Sequence, residues 1–532
     1  MWAALSRLGG RPAVRALQAV RGARRAARLT LIALALCTAV AGAWGTDRPA
    51  SGAQGPLLIS PPVPATGPLR VDPQNPRYLT DGRGAAVYLT GSHTWNDFQD
   101  WGVTDPPSQL DFSAFLDFLA RHGHNYTRLY VWEQAAWVPW LSERVTIHPL
   151  PYARTGPGIA RDGKPRFDLH RWNPAYFARL RDRVLEAYRR GIYTSIMLFN
   201  GWSIETKGLG AGNPWDGHPL HRDNNVNGLD GDPSNSETGL ATHSLSIPAV
   251  LAIQEAYVRK VIETVGDLPN VLWEISNESR PEARAWEAHL VEFVHRIETD
   301  RPASHPVGMT AAYPQGRNAD LFAGPAEWIS PMRTDAEPYD ADPPASDGRK
   351  VILNDTDHLW GIGGEPGWVW RSFLRGLAPI FMDPYTAPLT RKIYPGFPPG
   401  PVSREGNFEA IRRNMGYSRW YAQRLRLAEM APHSELASSR YCLAAPGSEY
   451  LVFLPAQAGV LGSLPVVGSA FRRVTINLAG TSGSLAVEWF NPATGELVSA
   501  PDVPGGESRT FWSPFPGDAL LHVRAGGALP RS

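Results

Sequence analysis

The stretch VLWEISNES, residues 271–279, combines a strand of good β-forming residues with a polar end. Its valine, leucine, tryptophan and isoleucine favour a buried β-strand. Asn277 and Glu278 follow directly, and an apolar core would have to desolvate both side chains at a cost of several kcal/mol. The end of this strand therefore marks a place where polar groups are needed.

The rest of the chain places this strand in a repeated pattern. Short apolar runs alternate with helical patterns over residues 70–430. This alternation is typical of the α/β class and predicts a (β/α)8 TIM barrel. The eight strand candidates are AAVYLTGSHTW (85–95), YTRLYVWEQ (126–134), IYTSIMLFNGWS (192–203), NVLWEISNES (270–279), HPVGMTAAY (305–313), EWISPMR (327–333), KVILNDTDH (350–358) and LAPIFMDPY (377–385).

Polar residues at the strand ends predict the position of a site. In such barrels the carboxyl ends of the strands build the functional face. Asn277 and Glu278 close the fourth strand, and Asp355 and Asp357 close the seventh, which lies across the mouth. One carboxyl group can then act as an acid and the other as a nucleophile or base, which is what cleavage of a glycosidic bond requires.

These motifs resemble a known group of enzymes. An Asn-Glu pair that closes strand four is similar to that of the clan A retaining glycoside hydrolases. More narrowly, YLTGSHTWNDFQD (88–100), VLWEISNES and VILNDTDHLWGIGG (351–364) resemble the apiosidase-like family of bacterial sugar hydrolases. The tail is similar to the small β-domain, named as collagen-binding, that often follows this catalytic domain. The resemblance implies a retaining hydrolase of poly- or oligosaccharides.

The resemblance also implies roles for individual residues. Glu278 would be the acid/base, Asn277 would contact the sugar 2-hydroxyl, and a carboxylate of strand seven would be the nucleophile. Clan A enzymes usually carry glutamate there, whereas this chain carries Asp355 and Asp357. Arg128 matches an arginine that these enzymes often keep beside the nucleophile.

The residues themselves leave three choices open. Asp355 is the first nucleophile candidate because it directly follows the strand, and Asp357 is the second because it shares the same side of an extended strand. Glu278 has the alternative of a structural carboxylate paired with Arg280 or another cation of the barrel. Arg128 could equally form an ordinary salt bridge.

Other side chains at strand ends are predicted to line the same mouth. Flat amphipathic rings can stack on sugars or simply fill the core, and the chain contains 19 tryptophans. Several rings at strand ends together favour a sugar subsite. Besides Asn277 and Arg128, the predicted substrate-binding residues are His93, Trp95, Trp132, Glu133, Asn200, Trp202, His358 and Trp360.

Composition and motifs argue against other classes of function. The 52 Lys and Arg residues balance 51 Asp and Glu residues, so we expect no nucleic-acid partner. Of two cysteines, Cys37 lies in the N-terminal segment, which leaves Cys442 alone and predicts no disulfide, redox or zinc function. A metal hydrolase could rest on His93, Asp357 and His358, but no His-x-His pair marks a strand end.

A long loop after the third strand resembles the start of a calcium-binding loop. Asp223, Asn225 and Asn227 lie in HRDNNVNGLDGDPSN (221–235), yet Ser234 stands where glutamate would complete the motif. We therefore expect a polar loop that shapes the substrate site, and no metal or cofactor.

The N-terminus predicts export to the periplasm or the medium. The Arg-rich stretch RGARRAARL (21–29) precedes the apolar run LTLIALALCTAVAGA (29–43), which is too short to span a bilayer. Residues 1–43 are thus predicted to be a signal peptide cleaved near Ala43, with an uncleaved anchor or a later start codon as alternatives. Residues 44–69, rich in proline and glycine, predict a linker.

The C-terminal part of the chain has a different pattern of apolar and polar residues. Residues 438–526 show short alternating strands between glycine and proline turns, which predicts a small antiparallel β-sandwich. Such a domain could bind glycan or brace the barrel.

Together the patterns predict an exported, monomeric glycoside hydrolase with a carbohydrate substrate and no membrane insertion after signal cleavage. The alternative is a non-catalytic glycan-binding protein on a barrel scaffold.

Overall fold

The computed structural model describes residues 63–385, 408–456 and 472–526. The predicted signal peptide and most of the predicted linker lie outside the described residues. Eight parallel strands close into a barrel in chain order, which confirms the predicted (β/α)8 fold. The barrel strands are β1 (Gly91–His93), β2 (Tyr126–Leu129), β3 (Tyr193–Asn200), β4 (Val271–Asn277), β5 (Val307–Thr310), β6 (Trp328–Ser330), β7 (Val351–Asp355) and β8 (Ala378–Met382).

Helices cover the outside of the barrel, and their apolar faces pack on the strands. In α3, buried residues recur at Val250, Tyr257, Val258, Val261 and Val265, which is the spacing of one helix face. None of the described helices is both long and apolar enough to cross a membrane. The helices are α1 (Phe112–Arg121), α2 (Pro174–Arg189), α3 (Pro248–Val265), α4 (Arg284–Thr299), α5 (Asn318–Ala323), α6 (Pro366–Leu374) and α7 (Phe408–Arg424).

The C-terminal region forms two antiparallel sheets, as predicted. One face of the larger sheet shares a core with the smaller sheet, through residues such as Val452 and Val474. The other face packs on α6 and α7, where Phe453 and Phe490 join a cluster that contains Trp370. The larger sheet contains Ala431–Pro432, Cys442–Ala445, Glu449–Leu454, Ser484–Phe490, Leu497–Pro504 and Ala519–Ala525, and the smaller sheet pairs Arg473–Asn477 with Ser508–Trp512.

Short sheets surround the barrel, and the end of the predicted linker packs with them. Ala65 and Leu69 are buried, and the Ala65 amide donates to the Tyr188 carbonyl at 3.0 Å. The predicted linker therefore extends too far, because its last residues belong to the packed protein. The short strands are Arg70–Val71, Leu79–Thr80 and Ala86–Val87 in one sheet, Asp100–Gly102 with Thr146–His148, and Tyr152–Ile159 with Pro165–Trp172.

His124 is a buried histidine between the barrel and α7. Its Nε2 lies 3.0 Å from the Arg412 carbonyl oxygen, and its Nδ1 lies 3.4 Å from Ser92 Oγ. Burial, followed by the neighbouring positive charges, lowers the pKa of His124 from 6.5 to about 3. The folded protein therefore keeps this imidazole neutral at a pH where the unfolded chain would protonate it.

The free energy of unfolding should decrease as the pH is lowered, because of His124. The contribution of His124 is fully present above pH 6.5 and is lost as the pH falls toward the folded pKa. The loss at pH 5 is roughly 2 kcal/mol. Urea unfolding at pH 7 and pH 5 measures this loss, which His124→Gln should reduce. His170→Gln, at an exposed position, should behave like the parent protein. Equal pH dependence of the parent and His124→Gln would contradict the assignment.

Candidate active site

Arg128 lies at the centre of a buried network at the mouth of the barrel. It is 1% exposed, and its Nε and Nη2 donate to the two carboxylate oxygens of Glu274 at 2.7 and 2.5 Å. Its Nη1 donates to Asp357 Oδ2 at 2.7 Å. Because a buried charge needs a close partner, Glu274 in the middle of β4 balances Arg128. Arg128 therefore forms the expected salt bridge and also contacts Asp357, and its role beside a nucleophile stays a prediction.

Asn277 connects this network to the neighbouring strands. Its Oδ1 accepts hydrogen bonds from Arg128 Nη2 at 2.8 Å and from His358 Nε2 at 3.0 Å, while its Nδ2 donates to Tyr130 Oη at 2.8 Å. With the proton on Nε2, His358 Nδ1 accepts from Ser330 Oγ at 2.7 Å. Burial lowers the pKa of His358, which keeps the ring neutral in this role.

Asp355 is bound on both carboxylate oxygens. His93 Nε2 lies 3.1 and 3.0 Å from them, and the Asp357 amide donates to Oδ1 at 3.0 Å. Burial raises the pKa of Asp355, but His93 and Arg128 outweigh burial and hold it well below its usual range. Burial lowers the pKa of His93, yet the charge of Asp355 reverses this and raises it. The two side chains thus form a buried, hydrogen-bonded pair in which Asp355 is the anion.

The position of Asp357 differs from the expectation. β7 ends at Asp355, and residues Thr356–His358 form a 3-10 turn that the Asp355 carboxylate caps. The predicted alternation along an extended strand is therefore wrong for Asp357, because the chain turns before reaching it. Asp355 instead braces the turn that presents Asp357 to Arg128.

Glu278 lies one residue beyond β4 and has the left-handed φ of 48°. Its amide donates to Thr310 Oγ1 at 3.2 Å, and its Oε2 accepts from Trp202 Nε1 at 2.5 Å. A Cβ at Gly201 would lie 2.4 Å from the Glu278 carbonyl oxygen, so only glycine fits there. The alternative pairing with Arg280 does not occur, because that guanidinium binds the Glu205 carboxylate instead.

The surroundings of Glu278 favour its protonated form. Burial, and next the negative charge of Asp357, raise the pKa of Glu278 to about 8. The hydrogen bond from Trp202 and the positive charges of Lys207 and Arg128 act in the opposite direction. At neutral pH this carboxyl group can therefore donate a proton, which is the task of a general acid.

A row of aromatic rings leads away from Glu278. Trp202 stacks on Tyr313 with 5.5 Å between ring centroids and 19° between planes, and Tyr313 is 40% exposed. On its other side Trp202 meets Trp140 at 5.6 Å, and Trp140 meets Trp95 at 5.3 Å. The predicted Trp95 and Trp202 thus lie in this row, whereas sequence reasoning missed Trp140 and Tyr313.

Two predicted binding residues contact neighbouring groups of the protein. Trp132 is buried in the main core, and its Nε1 donates to the Trp95 carbonyl at 2.9 Å. The Glu133 carboxylate accepts from the Asn200 amide at 2.8 Å and lies 3.1 Å from His243 Nε2 and 3.4 Å from His218 Nε2. Both side chains thus have partners within the protein, and their role in substrate binding stays a prediction.

Asn200 and Trp360 contact other parts of the protein. Asn200 is buried; its Nδ2 donates to the Val131 carbonyl at 2.9 Å, and its Oδ1 accepts from the Trp202 amide at 3.1 Å. Trp360 packs on Trp368 in the cluster that joins α6 and α7. Asn200 therefore positions Trp202, and Trp360 is part of the packing behind β7.

The calcium-like loop uses its asparagines for its own structure. Asn225 Oδ1 accepts from the amides of Asn227 and Leu229 at 3.2 and 3.1 Å, and its Nδ2 donates to three loop carbonyls. Asn227 Oδ1 accepts from the Leu169 amide at 2.8 Å. These side chains hold the loop together and fasten it to the hairpin strand Pro165–Trp172, as expected of an Asx-rich turn.

One group in the described residues has metal-ligating types close together. Ligand atoms of Asp216, His221 and Glu237 lie within 4.8 Å of one another. Arg161 already lies among them, with its Nη1 bonded to Asp216 and 3.5 Å from Glu237 and its Nε 3.2 Å from Asp223. The guanidinium supplies the positive charge that a cation would bring, so the group forms an ion-pair cluster.

Solved structures with the same architecture include glycoside hydrolases. One described as a glycoside hydrolase has a TM-score of 0.54 and 12% identity, covering 87% of this chain and 98% of that chain. A family 5 glycoside hydrolase from Bacteroides vulgatus has a TM-score of 0.53 and 14% identity, covering 86% and 93%. No family model and no curated protein matches the sequence significantly. At these identities the likeness establishes the fold.

Proposed function

We propose that this protein is an exported, monomeric glycoside hydrolase of the apiosidase-like type that cleaves poly- or oligosaccharides with retention of configuration. The observation that carries the proposal is the set of two carboxyl groups tied to the Arg128 network: Arg128 binds Asp357, while burial and the charge of Asp357 raise the pKa of Glu278 to about 8. The fold shared with solved glycoside hydrolases supports it. Export rests on the N-terminal sequence, and the C-terminal sheets act as a brace on α6 and α7.

Asp357 is the better nucleophile of the two aspartates. Asp355 holds His93 with both oxygens and caps the following turn. Asp357 Oδ2 instead binds Arg128, and the charge of Asp357 is the one that raises the pKa of Glu278 most. This effect is what two carboxyl groups that share one site exert on each other, and it suits an acid and a nucleophile that act on the same bond.

The reaction then follows in two displacements. In the first, Asp357 attacks the anomeric carbon while Glu278 transfers its proton to the glycosidic oxygen, so that the C–O bond breaks and the leaving sugar departs as an alcohol. In the second, Glu278 takes a proton from water, whose oxygen attacks the same carbon and releases Asp357. Arg128 orients Asp357, and Asn277 is placed to bind the sugar 2-hydroxyl.

Hydrolysis of a panel of aryl glycosides and plant polysaccharides tests this function. We expect the protein lacking residues 1–43 to cleave at least one member, with the anomer of the substrate appearing first in the ¹H NMR spectrum. An inverted first product would contradict double displacement. Binding of a glycan without any cleavage would favour the glycan-binding alternative, and cleavage that persists in both Glu278→Gln and Asp357→Asn would move the site elsewhere.

A further inference from the structure

Lys207 is a buried lysine next to the acid/base. Its side chain is 0% exposed, and its Nζ donates to the backbone carbonyls of Glu278 at 2.8 Å and Tyr313 at 2.9 Å. The same ammonium lies 3.5 Å from Glu205 Oε1. Three acceptors from three different segments thus converge on one compact cation, which has three rotatable donors.

The ammonium also lies beside the rings of the aromatic row. Its Nζ is 5.5 Å from the centroid of the Trp202 ring and 5.9 Å from that of Tyr313. Those two rings stack on each other, and Trp202 donates its indole hydrogen to Glu278. Lys207 therefore contacts the acid/base through its backbone and the ring pair through cation–π attraction.

The choice of lysine fits this geometry better than arginine would. The chain has five lysines, at positions 164, 207, 260, 350 and 392, among its 52 Lys and Arg residues. A guanidinium is planar and larger, so it cannot direct donors to three converging acceptors in the same space. Lys207 also has the left-handed φ of 48°, a strained backbone that the surrounding contacts must hold.

We propose that Lys207 is a positioning residue that locks the backbones of Glu278 and Tyr313 together, so that the acid/base and the Trp202–Tyr313 pair form one rigid wall for the leaving group. The inference rests on the proposed glycosidase function. Glu205 keeps the lysine charged, and Arg280 fixes Glu205 through two hydrogen bonds. Burial lowers the pKa of Lys207 to about 8, and the negative charge of Glu205 acts against this shift.

Lys207→Met is the direct test. With a sugar as leaving group we expect kcat to fall on the order of 100-fold, because the acid is displaced from the glycosidic oxygen. An activated aryl leaving group needs no proton, so kcat for an aryl glycoside should fall far less. Lys260→Met, on the outer face of α3, is the matched control and should keep the parent rates.

The pH dependence of kcat distinguishes a positioning role of Lys207 from a role in folding alone. The groups that act on Glu278 are Asp357 from the turn after β7, Arg128 from β2, and Trp202 and Lys207 from the loop after β3. Removal of one positive charge raises the pKa of Glu278, so the alkaline decline of kcat should move to higher pH in Lys207→Met. Lys207→Arg should restore the pH profile but not the rate, since it returns the charge without the geometry.

A second readout does not need activity. Nitration of Tyr313 by tetranitromethane, followed by peptide mass spectrometry, should be severalfold faster in Lys207→Met than in the parent or Lys260→Met. If the parent cleaves substrates and Lys207→Met behaves like Lys260→Met, the inference alone fails. If the parent cleaves nothing, the proposed function fails, and unchanged Tyr313 nitration would then overturn the inference independently.

Discussion

Asp357→Asn should lower kcat/KM by about 10⁴-fold or more while the barrel stays folded. The amide keeps the size of the side chain and can still accept from Arg128 Nη1, which now lies 2.7 Å from Oδ2. It cannot attack the anomeric carbon as a carboxylate does. Initial rates on the best substrate of the panel, beside circular dichroism of the same samples, measure the effect.

Asp355→Asn is the matched comparison for Asp357. This change removes the carboxylate that His93 Nε2 contacts in the buried interior, so we expect lower stability together with a smaller loss of rate. Azide should rescue Asp357→Ala and yield a glycosyl azide of inverted configuration, because the anion enters the space of the nucleophile. An inactive Asp355→Asn beside an active Asp357→Asn would reverse the two roles.

The barrel fold, and the strand-end residues of the candidate site, could be predicted from local sequence patterns. Apolar runs that end in polar residues marked β4 and β7, and the parallel barrel then brought Arg128, Asn277, Asp355 and Glu278 to one end. This works because the carboxyl ends of all eight strands share one face of the fold. Chain order and strand alternation are enough to place such residues.

Glu274 is a partner that the sequence could have revealed. It interrupts an otherwise apolar strand, and a charge at the centre of a fully buried strand requires an opposite charge nearby. Arg128, on β2, is the arginine within the eight barrel strands. Pairing these two charges would have predicted the bidentate contact that leaves one guanidinium nitrogen for Asp357.

Residues on loops could not be placed in the same way. Asp357 depends on a 3-10 turn that strand periodicity does not describe, and Lys207 and Tyr313 meet through two loops far apart in sequence. Loop paths are set by tertiary contacts and not by a repeating pattern. Trp132 shows a related limit, since a ring near a strand end packs in the core.

Glu278→Gln should lower kcat by about 10³-fold for substrates with a sugar leaving group. The amide can still accept a hydrogen bond from Trp202 Nε1, so the geometry of the mouth is kept. What disappears is the proton that the glycosidic oxygen needs as the bond breaks. An activated dinitrophenyl leaving group requires no proton, and its release in the first turnover should remain fast.

The pH dependence of activity tests whether Glu278 is the general acid. In the parent protein, activity should decline as the pH rises through about 8, where Glu278 loses its proton. With a substrate that has a sugar leaving group, the residual hydrolysis by Glu278→Gln should lack this decline, because the variant has no carboxyl group to ionise at that position. Glu282→Gln, an exposed carboxylate four residues away, should retain both the rate and the decline. A decline near pH 8 that persists in Glu278→Gln would assign the titration to another group and leave Glu278 without its role as the acid.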